Sequence, residues 1–177
     1  VLYMQNRDKT LQFSDILRRY KQSVEQSFEL YLFCMLQFMR IANYAIHDKS
    51  KRNSKLLPSE ADKAFSAKLA ENPLSQSIIS SEEFERTLKR YKLLDTIDRD
   101  NTRRLYTTFA KTDDYTTYLN QKNSNQNDHQ QILLDLFRFC AGDESFNEIM
   151  EDKYANWLDD KSLIVGSVKK TIRSLPS

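Results

Sequence analysis

The chain has almost no glycine or proline, with two glycines and three prolines among 177 residues. Because these residues form tight turns and interrupt helices, their scarcity leaves few places for β-hairpins. Phosphate-binding loops, dinucleotide-binding fingerprints and nucleophile elbows are excluded as well, since each requires several closely spaced glycines. We therefore predict an all-α fold, a single-domain bundle of about seven to nine helices that spans residues 1–177.

The chain also lacks an excess of charge and any cysteine or histidine motif. It has 27 Lys and Arg residues against 25 Asp and Glu, a net charge of +2, so nucleic-acid contact requires a local basic patch. Cys34 and Cys140 lie in apolar stretches and form no C-x-x-C pair, which favours buried, reduced thiols. His47 and His129 lie in polar segments without further ligands at metal-binding spacing. We expect no metal and no cofactor.

The most apolar stretch runs from Phe28 to Ile46 and has the length of a membrane span. Polar side chains interrupt it, and a central Arg40 alone would cost about 2.5–3.5 kcal/mol in hydrocarbon. Apolar residues recur at steps of three and four, which is the spacing of one helix face. The stretch is thus predicted to be the central core helix rather than a membrane contact. Upstream, the chain either bends near Ser23 or continues as one long helix.

Helix start and stop signals divide the rest of the chain. The polar segment 47–55 predicts an exposed loop, and the Asn- and Gln-rich segment 122–131 predicts a mobile loop. A helix is expected over Ser59–Asn72, and a left-handed cap at Gly142 is expected to end another. Further helices are predicted to begin at Ser80, Asp98 or Asp100, Thr112, Asp143 and Asp159.

No residue pattern in the chain indicates catalysis. The acidic pairs fall where first helical turns are predicted, and negative charge is favoured there by the helix dipole. They are Glu82-Glu83, Asp113-Asp114 and Asp159-Asp160. The single tryptophan, Trp157, is expected to pack over a helix junction.

Basic residues form several clusters, each of which has the composition of a solvated surface. Arg103 and Arg104 differ from the others because Tyr106 is close by, and cations beside an aromatic ring are typical of single-strand binding. Arg103 and Arg104 are therefore candidate RNA-binding residues. The other clusters are Arg18, Arg19 and Lys21; Lys49, Lys51, Arg52 and Lys55; and Lys169, Lys170 and Arg173.

Five motifs follow one another in an order that resembles the long, insertion-bearing variety of the transcription antitermination factor NusB family. They are L-Y at Leu2–Tyr3, S-F-E-L-Y-L at Ser27–Leu32, L-L-P-S-E-A-D at Leu56–Asp62, T-R-R-L-Y at Thr102–Tyr106, and W-L-D-D-K-S-L-I-V-G-S-V-K-K-T-I at Trp157–Ile172. On this resemblance, the chain begins at the end of the family's first helix and stops before its second half.

The resemblance implies a non-enzymatic, cytoplasmic protein that binds boxA-type RNA with ribosomal protein NusE in the transcription elongation complex. Tyr3 is the position that carries over to the family's RNA-facing residues, with a core role as the other interpretation. The alternative function is a helical protein-interaction scaffold without RNA binding. Without the absent segments, we expect exposed apolar residues such as Leu2, Tyr3, Val165 and Val168 to cause self-association.

Overall fold

Helices form most of the computed structural model, which describes residues 2–96 and 98–175 and contains no β-strand within them. The side chains of residues 1–12, 15–21 and 23 lie outside this description. Ten helices follow in order, of which α3 is a single turn. They are α1 (Leu2–Asn53), α2 (Glu60–Ala64), α3 (Lys68–Glu71), α4 (Pro73–Ile79), α5 (Glu82–Arg90), α6 (Arg99–Phe109), α7 (Asp113–Asn120), α8 (Gln126–Ala141), α9 (Glu144–Lys153) and α10 (Trp157–Ser174).

The second half of α1 is the centre of the bundle, as the apolar stretch predicts. Between Leu30 and Ala42, every residue except Tyr31 and Arg40 is buried. Helices α3, α6, α8 and α10 pack around it. The rings of Phe38 on α1 and Phe137 on α8 meet edge to face at 5.3 Å, and burial of each such side chain stabilises the fold by about 1.5–3 kcal/mol. The all-α prediction with a central apolar helix is confirmed.

Several local predictions within the bundle are also confirmed. Cys34 and Cys140 are free and buried, and burial raises the pKa of the Cys34 thiol to about 12. Trp157 is buried, and its indole N–H donates to the Asn147 side-chain oxygen at 3.0 Å, which links α10 to α9. Helices α6, α7 and α9 begin after the predicted caps Asp98, Thr112 and Asp143.

The loop predicted over residues 47–55 is mostly helix, because α1 continues without interruption to Asn53. Contacts with α2 account for this extension. The Arg52 guanidinium pairs with Asp48 at 2.9 Å and Asp62 at 3.4 Å, and the Lys55 ammonium lies 3.0 Å from Asp62. Cations in the last turn also suit the helix dipole. The composition of the segment is that of a loop, but its ion pairs support a helix.

The loop predicted over residues 122–131 is likewise too long, since α8 begins at Gln126. Asn125 and Asp128 form a reciprocal capping box, in which each side chain accepts a hydrogen bond from the other's backbone N–H at 2.9 Å. Such a box satisfies two N–H groups that a helix start otherwise leaves unpaired. The spacing N-x-x-D is visible in the sequence and marks this helix start.

Three further boundaries differ from the predictions. The helix expected over Ser59–Asn72 is divided into α2 and α3, because Phe65 has an extended backbone with ψ of 133°. Helix α5 is capped by Ser81 rather than Ser80, and α10 begins at Trp157, so Asp159 and Asp160 lie in its first turn. Gly142 ends α8 with φ of −91°, in the right-handed region, so the expected left-handed cap is wrong.

Candidate nucleic-acid interface

The two adjacent arginines that the sequence indicates for RNA binding have different environments. Arg104 makes a bidentate ion pair with the Asp143 carboxylate, with contacts of 3.1 and 2.6 Å, and also donates to Asn101 at 3.0 Å. Its hydrogen bond to Asp143 raises the pKa of Arg104. At Asp143, burial favours a higher pKa, but the hydrogen bond from Arg104, together with the helix N–H groups, outweighs burial, and the pKa of Asp143 is lowered. The Arg104 side chain therefore joins α6 to the N-terminus of α9.

Arg103, which is also exposed, lies in a groove between α1 and α6. No carboxylate lies within 4.0 Å of Arg103 among the described residues, so its charge is available to a ligand. The third candidate, Tyr3, has its side chain outside the described residues. Of the two candidates whose side chains the structure describes, Arg103 lines the groove and Arg104 does not.

The groove consists of three adjoining concavities along one face of α1. The largest is about 710 Å³ and lies between α1 and α6, around Tyr44, His47 and Arg103. A second, of about 330 Å³, shares these three residues and continues toward Lys51. The third, of about 250 Å³, shares Arg40 and Asn43 with the first and extends to Leu36. At 1.5 Å per residue, the distance along α1 from Leu36 to Lys51 is about 22 Å.

Cationic side chains outnumber acidic ones in this groove. Six cations line it, against three carboxylates, and two of these groups, Arg52 and Asp48, pair with each other at 2.9 Å. The groove is therefore locally basic, although the chain is close to neutral as a whole. The cations are Arg40, Lys51, Arg52, Arg99, Arg103 and Lys111, and the carboxylates are Asp48, Glu85 and Asp100.

A buried hydrogen-bond chain forms the floor of the groove. The Tyr106 hydroxyl donates to the Asp48 carboxylate at 2.7 Å, so the Tyr115 hydroxyl donates to Tyr106 at 2.8 Å. Burial and the neighbouring Tyr115 raise the pKa of Tyr106, and burial raises that of Tyr115 to about 12. Both phenols remain protonated at neutral pH. Tyr106 is thus a buried positioning residue rather than a stacking platform.

Tyr44 and His47 supply the exposed ring surface in the groove. Tyr44 is half-buried and His47 is exposed, and their rings lie 5.0 Å apart. The Tyr44 ring also packs on Tyr106 at 5.1 Å, which fixes its position. Aromatic rings beside cations can stack on bases of a single strand. Sequence reasoning missed Tyr44 and His47, because it assigned one to the core and the other to a loop.

A second polar cluster, between α3, α7 and α8, is structural. The Lys68 ammonium donates to the backbone oxygens of Tyr118 and Gln121 at 2.6 and 2.9 Å and thereby caps the end of α7. The buried Asn72 amide donates to the Tyr118 hydroxyl and to the His129 backbone oxygen. Tyr118 in turn lies 2.8 Å from His129 Nδ1, so His129 is not the solvated loop histidine expected.

The described residues contain no group of three or more His, Cys, Asp or Glu side chains arranged to hold a metal ion. The three acidic pairs lie in the first turns of α5, α7 and α10, as predicted. In the part of the chain that the structure describes, no helix has both the length and the apolar composition of a membrane span. Comparisons with protein-family models, curated proteins and solved structures give no match.

Proposed function

We propose that the chain is the RNA-binding region of a non-enzymatic transcription accessory factor, and that the α1–α6 groove is its RNA-contacting surface. The observation that carries this proposal is the set of cations from α1 and α6 that line the groove, with Arg103 where two concavities meet. Phosphate contacts by such cations provide most of the sequence-independent affinity for nucleic acid. Tyr44 and His47 add ring surface for bases.

The identity of the RNA, the partner proteins and the location of the chain are proposed from its resemblance to the NusB family. It gives boxA-type RNA as the ligand, NusE and the transcription elongation complex as partners, and the cytoplasm as the location. The resemblance carries over one RNA-facing position, Tyr3, and this residue is at the other end of α1 from the groove. We therefore propose the groove as an RNA contact in addition to Tyr3.

Fluorescence anisotropy of a labelled boxA-type RNA, with and without NusE, tests the proposal. We expect Arg103→Ala to weaken binding and to reduce the slope of log affinity against log salt by about 0.7, the value for one phosphate contact in a single strand. Arg86→Ala is the matched control, because Arg86 is also exposed, on α5, and does not line the groove. Equal affinities of the two variants, or no binding by the wild-type chain, contradict the proposal.

A second candidate function is protein binding through an apolar surface on α1, N-terminal to the groove. Val24 and Phe28 are 53% and 46% exposed, and Leu163 on α10 is 62% exposed. Phe28 and Leu163 line a concavity of about 480 Å³ between α1 and α10. Phe13 is also exposed and lies on the face of Val24, since eleven residues are close to three helical turns. This surface suits a helical scaffold.

Two of the residues first expected to drive self-association, Val165 and Val168, do not form this surface. Val168 is buried and Val165 packs against the core, because α10 is covered by α8 and α1 on that side. The side chains of Leu2 and Tyr3 lie outside the described residues. We expect the chain to form dimers in analytical ultracentrifugation through Phe28 and Leu163, and Leu163→Glu to yield monomers. A wild-type chain that stays monomeric at high concentration contradicts this second candidate.

A further inference from the structure

The smallest concavity of the groove has the composition of a pocket for one flat, mostly apolar group. It has a volume of about 250 Å³ and lies between α1, α4, α5 and the segment that follows α5. Gln37 on α1 holds that segment in place by donating to the Thr96 backbone oxygen at 3.0 Å. The walls are apolar and include the Phe84 ring. The apolar residues are Leu36, Met39, Ile79, Phe84, Leu88 and Leu94.

Three polar side chains lie in this otherwise apolar pocket, namely Arg40, Asn43 and Glu85. Within the described part of the chain, Arg40 and Asn43 have no side-chain hydrogen-bond partner, whereas Glu85 pairs with Lys89 at 3.0 Å. Together they offer a guanidinium donor, an amide with both donor and acceptor atoms, and a carboxylate acceptor. An aliphatic ligand would pack against the apolar walls but would form no hydrogen bond with these three polar groups.

Arg40 and Asn43 also line the largest basic concavity, so the pocket opens directly onto the cationic groove. A nucleotide has the matching chemistry, because its base has two apolar faces and a hydrogen-bonding edge, and its phosphate is anionic. Single-stranded RNA is recognised mainly through such unstacked bases. The apolar pocket therefore suits a base, and the adjoining basic concavity suits the phosphate backbone next to that base.

We propose that the pocket formed by α1 and α5 binds one unstacked base of single-stranded RNA, whose phosphates lie against Arg99 and Arg103 in the adjoining groove. This inference rests on the proposed function and adds to it a specific base-binding site. Asn43 reads the hydrogen-bonding edge of the base, and Arg40 lies between the base and the phosphate backbone. The side chain of Phe84 packs against the base.

An abasic scan with the wild-type chain tests the inference directly. Fluorescence anisotropy is measured with one boxA-type RNA and with a set of equal-length RNAs, each lacking a single base. We expect one position to weaken binding about tenfold or more while the salt slope stays unchanged, because base contacts of about 1.4 kcal/mol or more are lost and no phosphate is removed. A loss of less than twofold at every position overturns the inference.

A pocket-filling variant identifies where that base binds. Ile79 is 36% exposed at the pocket, so Ile79→Trp occupies the space without requiring the core to rearrange. Leu158→Trp on α10 is the control, since Leu158 is 71% exposed and distant from the pocket lining. We expect Ile79→Trp to bind intact RNA about tenfold more weakly and to lose sensitivity to the abasic position. Circular dichroism of both variants verifies that they are folded.

The outcomes separate this inference from the proposed function. If the wild-type chain binds no RNA at low salt, both fail. If it binds RNA with the salt slope of a phosphate-binding groove but tolerates every abasic position, the base-binding site alone fails. If one abasic position is sensitive in both Ile79→Trp and Leu158→Trp, the base binds elsewhere in the groove and the pocket assignment is overturned.

Discussion

Tyr106 on α6 donates a hydrogen bond of 2.7 Å to the Asp48 carboxylate on α1, beneath the groove that separates the two helices. The same hydroxyl accepts from Tyr115, so one buried oxygen connects α1, α6 and α7. Asp48 also holds Arg52 at 2.9 Å. The spacing of α1 and α6, and hence the width of the groove, depends on this chain of contacts.

Tyr106→Phe is expected to lower the free energy of unfolding by about 1–3 kcal/mol. The variant keeps the ring but leaves the buried Tyr115 hydroxyl without its partner, and an unsatisfied buried polar group costs about that amount. Tyr44→Phe is the matched control, because the Tyr44 hydroxyl has no partner among the described residues; a change within about 0.5 kcal/mol is expected. Urea denaturation measures both, and equal losses would contradict the role assigned to Tyr106.

Arg104 and Asp143 are expected to show a coupling free energy of about 0.2–1 kcal/mol in a double-mutant cycle. The guanidinium is 43% exposed, so solvent screens the pair despite its bidentate geometry. Arg104→Ala, Asp143→Ala and the double variant are compared by urea denaturation. Arg103→Ala serves as the neighbouring control and should leave stability unchanged. A coupling of zero would mean that Arg104 does not join α6 to α9 in solution.

The different roles of Arg103 and Arg104 show where prediction from the sequence reaches its limit. Consecutive residues on a helix point about 100° apart, so only one of them faces α1. The sequence predicted a cap at Asp98 or Asp100 and the helix that contains both arginines, because caps depend on neighbours three residues away; the cap is Asp98. Which arginine faces the groove depends on how α6 packs against α1, and that contact joins residues about sixty positions apart.

The same distinction explains the successes and errors in the fold. The central helix from Leu30 was predictable, since its apolar pattern is continuous. The extension of α1 to Asn53 was not, because the ion pairs of Arg52 and Lys55 with Asp62 come from tertiary packing. The groove residues Asn43, Tyr44 and His47 could not be grouped with Arg103 for the same reason. By contrast, the capping box at Asn125 is local and was available in the sequence.

Stability is expected to fall as the pH drops below about 6.5 because of His129. Burial and the nearby Lys68 lower the pKa of this imidazole in the folded state, where its Nδ1 lies 2.8 Å from the Tyr118 hydroxyl. The unfolded chain therefore binds a proton more readily, and stability is lost between about pH 6.5 and the lower folded pKa. Above that range the contribution is complete.

Urea denaturation at pH 8, 7, 6 and 5 measures this dependence, with His129→Gln as the comparison. The variant is expected to lose the decline between pH 7 and 5. Carboxylates act in a different range: a backbone N–H of Ser59 and the Lys55 ammonium lower the pKa of Asp62 to about 2, so its contribution is lost mainly below about pH 5. An unchanged decline in His129→Gln would assign the effect to another group.

Lys92→Gly is expected to stabilise the chain by up to about 1 kcal/mol. Lys92 has φ of 57°, in the left-handed region, where a side chain costs roughly 1–2 kcal/mol and glycine costs little. The position follows α5, and the Leu93 N–H reaches back to the Leu88 oxygen at 2.9 Å, the bond pattern of a Schellman motif that usually has glycine at this place. Part of the gain is offset by the greater freedom of glycine in the unfolded chain.

Arg86→Gly provides the opposite control, because Arg86 lies inside α5, where glycine is expected to cost about 1 kcal/mol. Thermal unfolding of the two variants beside the wild-type chain should therefore give shifts of opposite sign. If Lys92→Gly also lowers the midpoint, the chain after α5 does not adopt the left-handed conformation in solution. The segment that closes the base pocket at Leu94 would then have another path, so this measurement also checks the geometry on which that pocket depends.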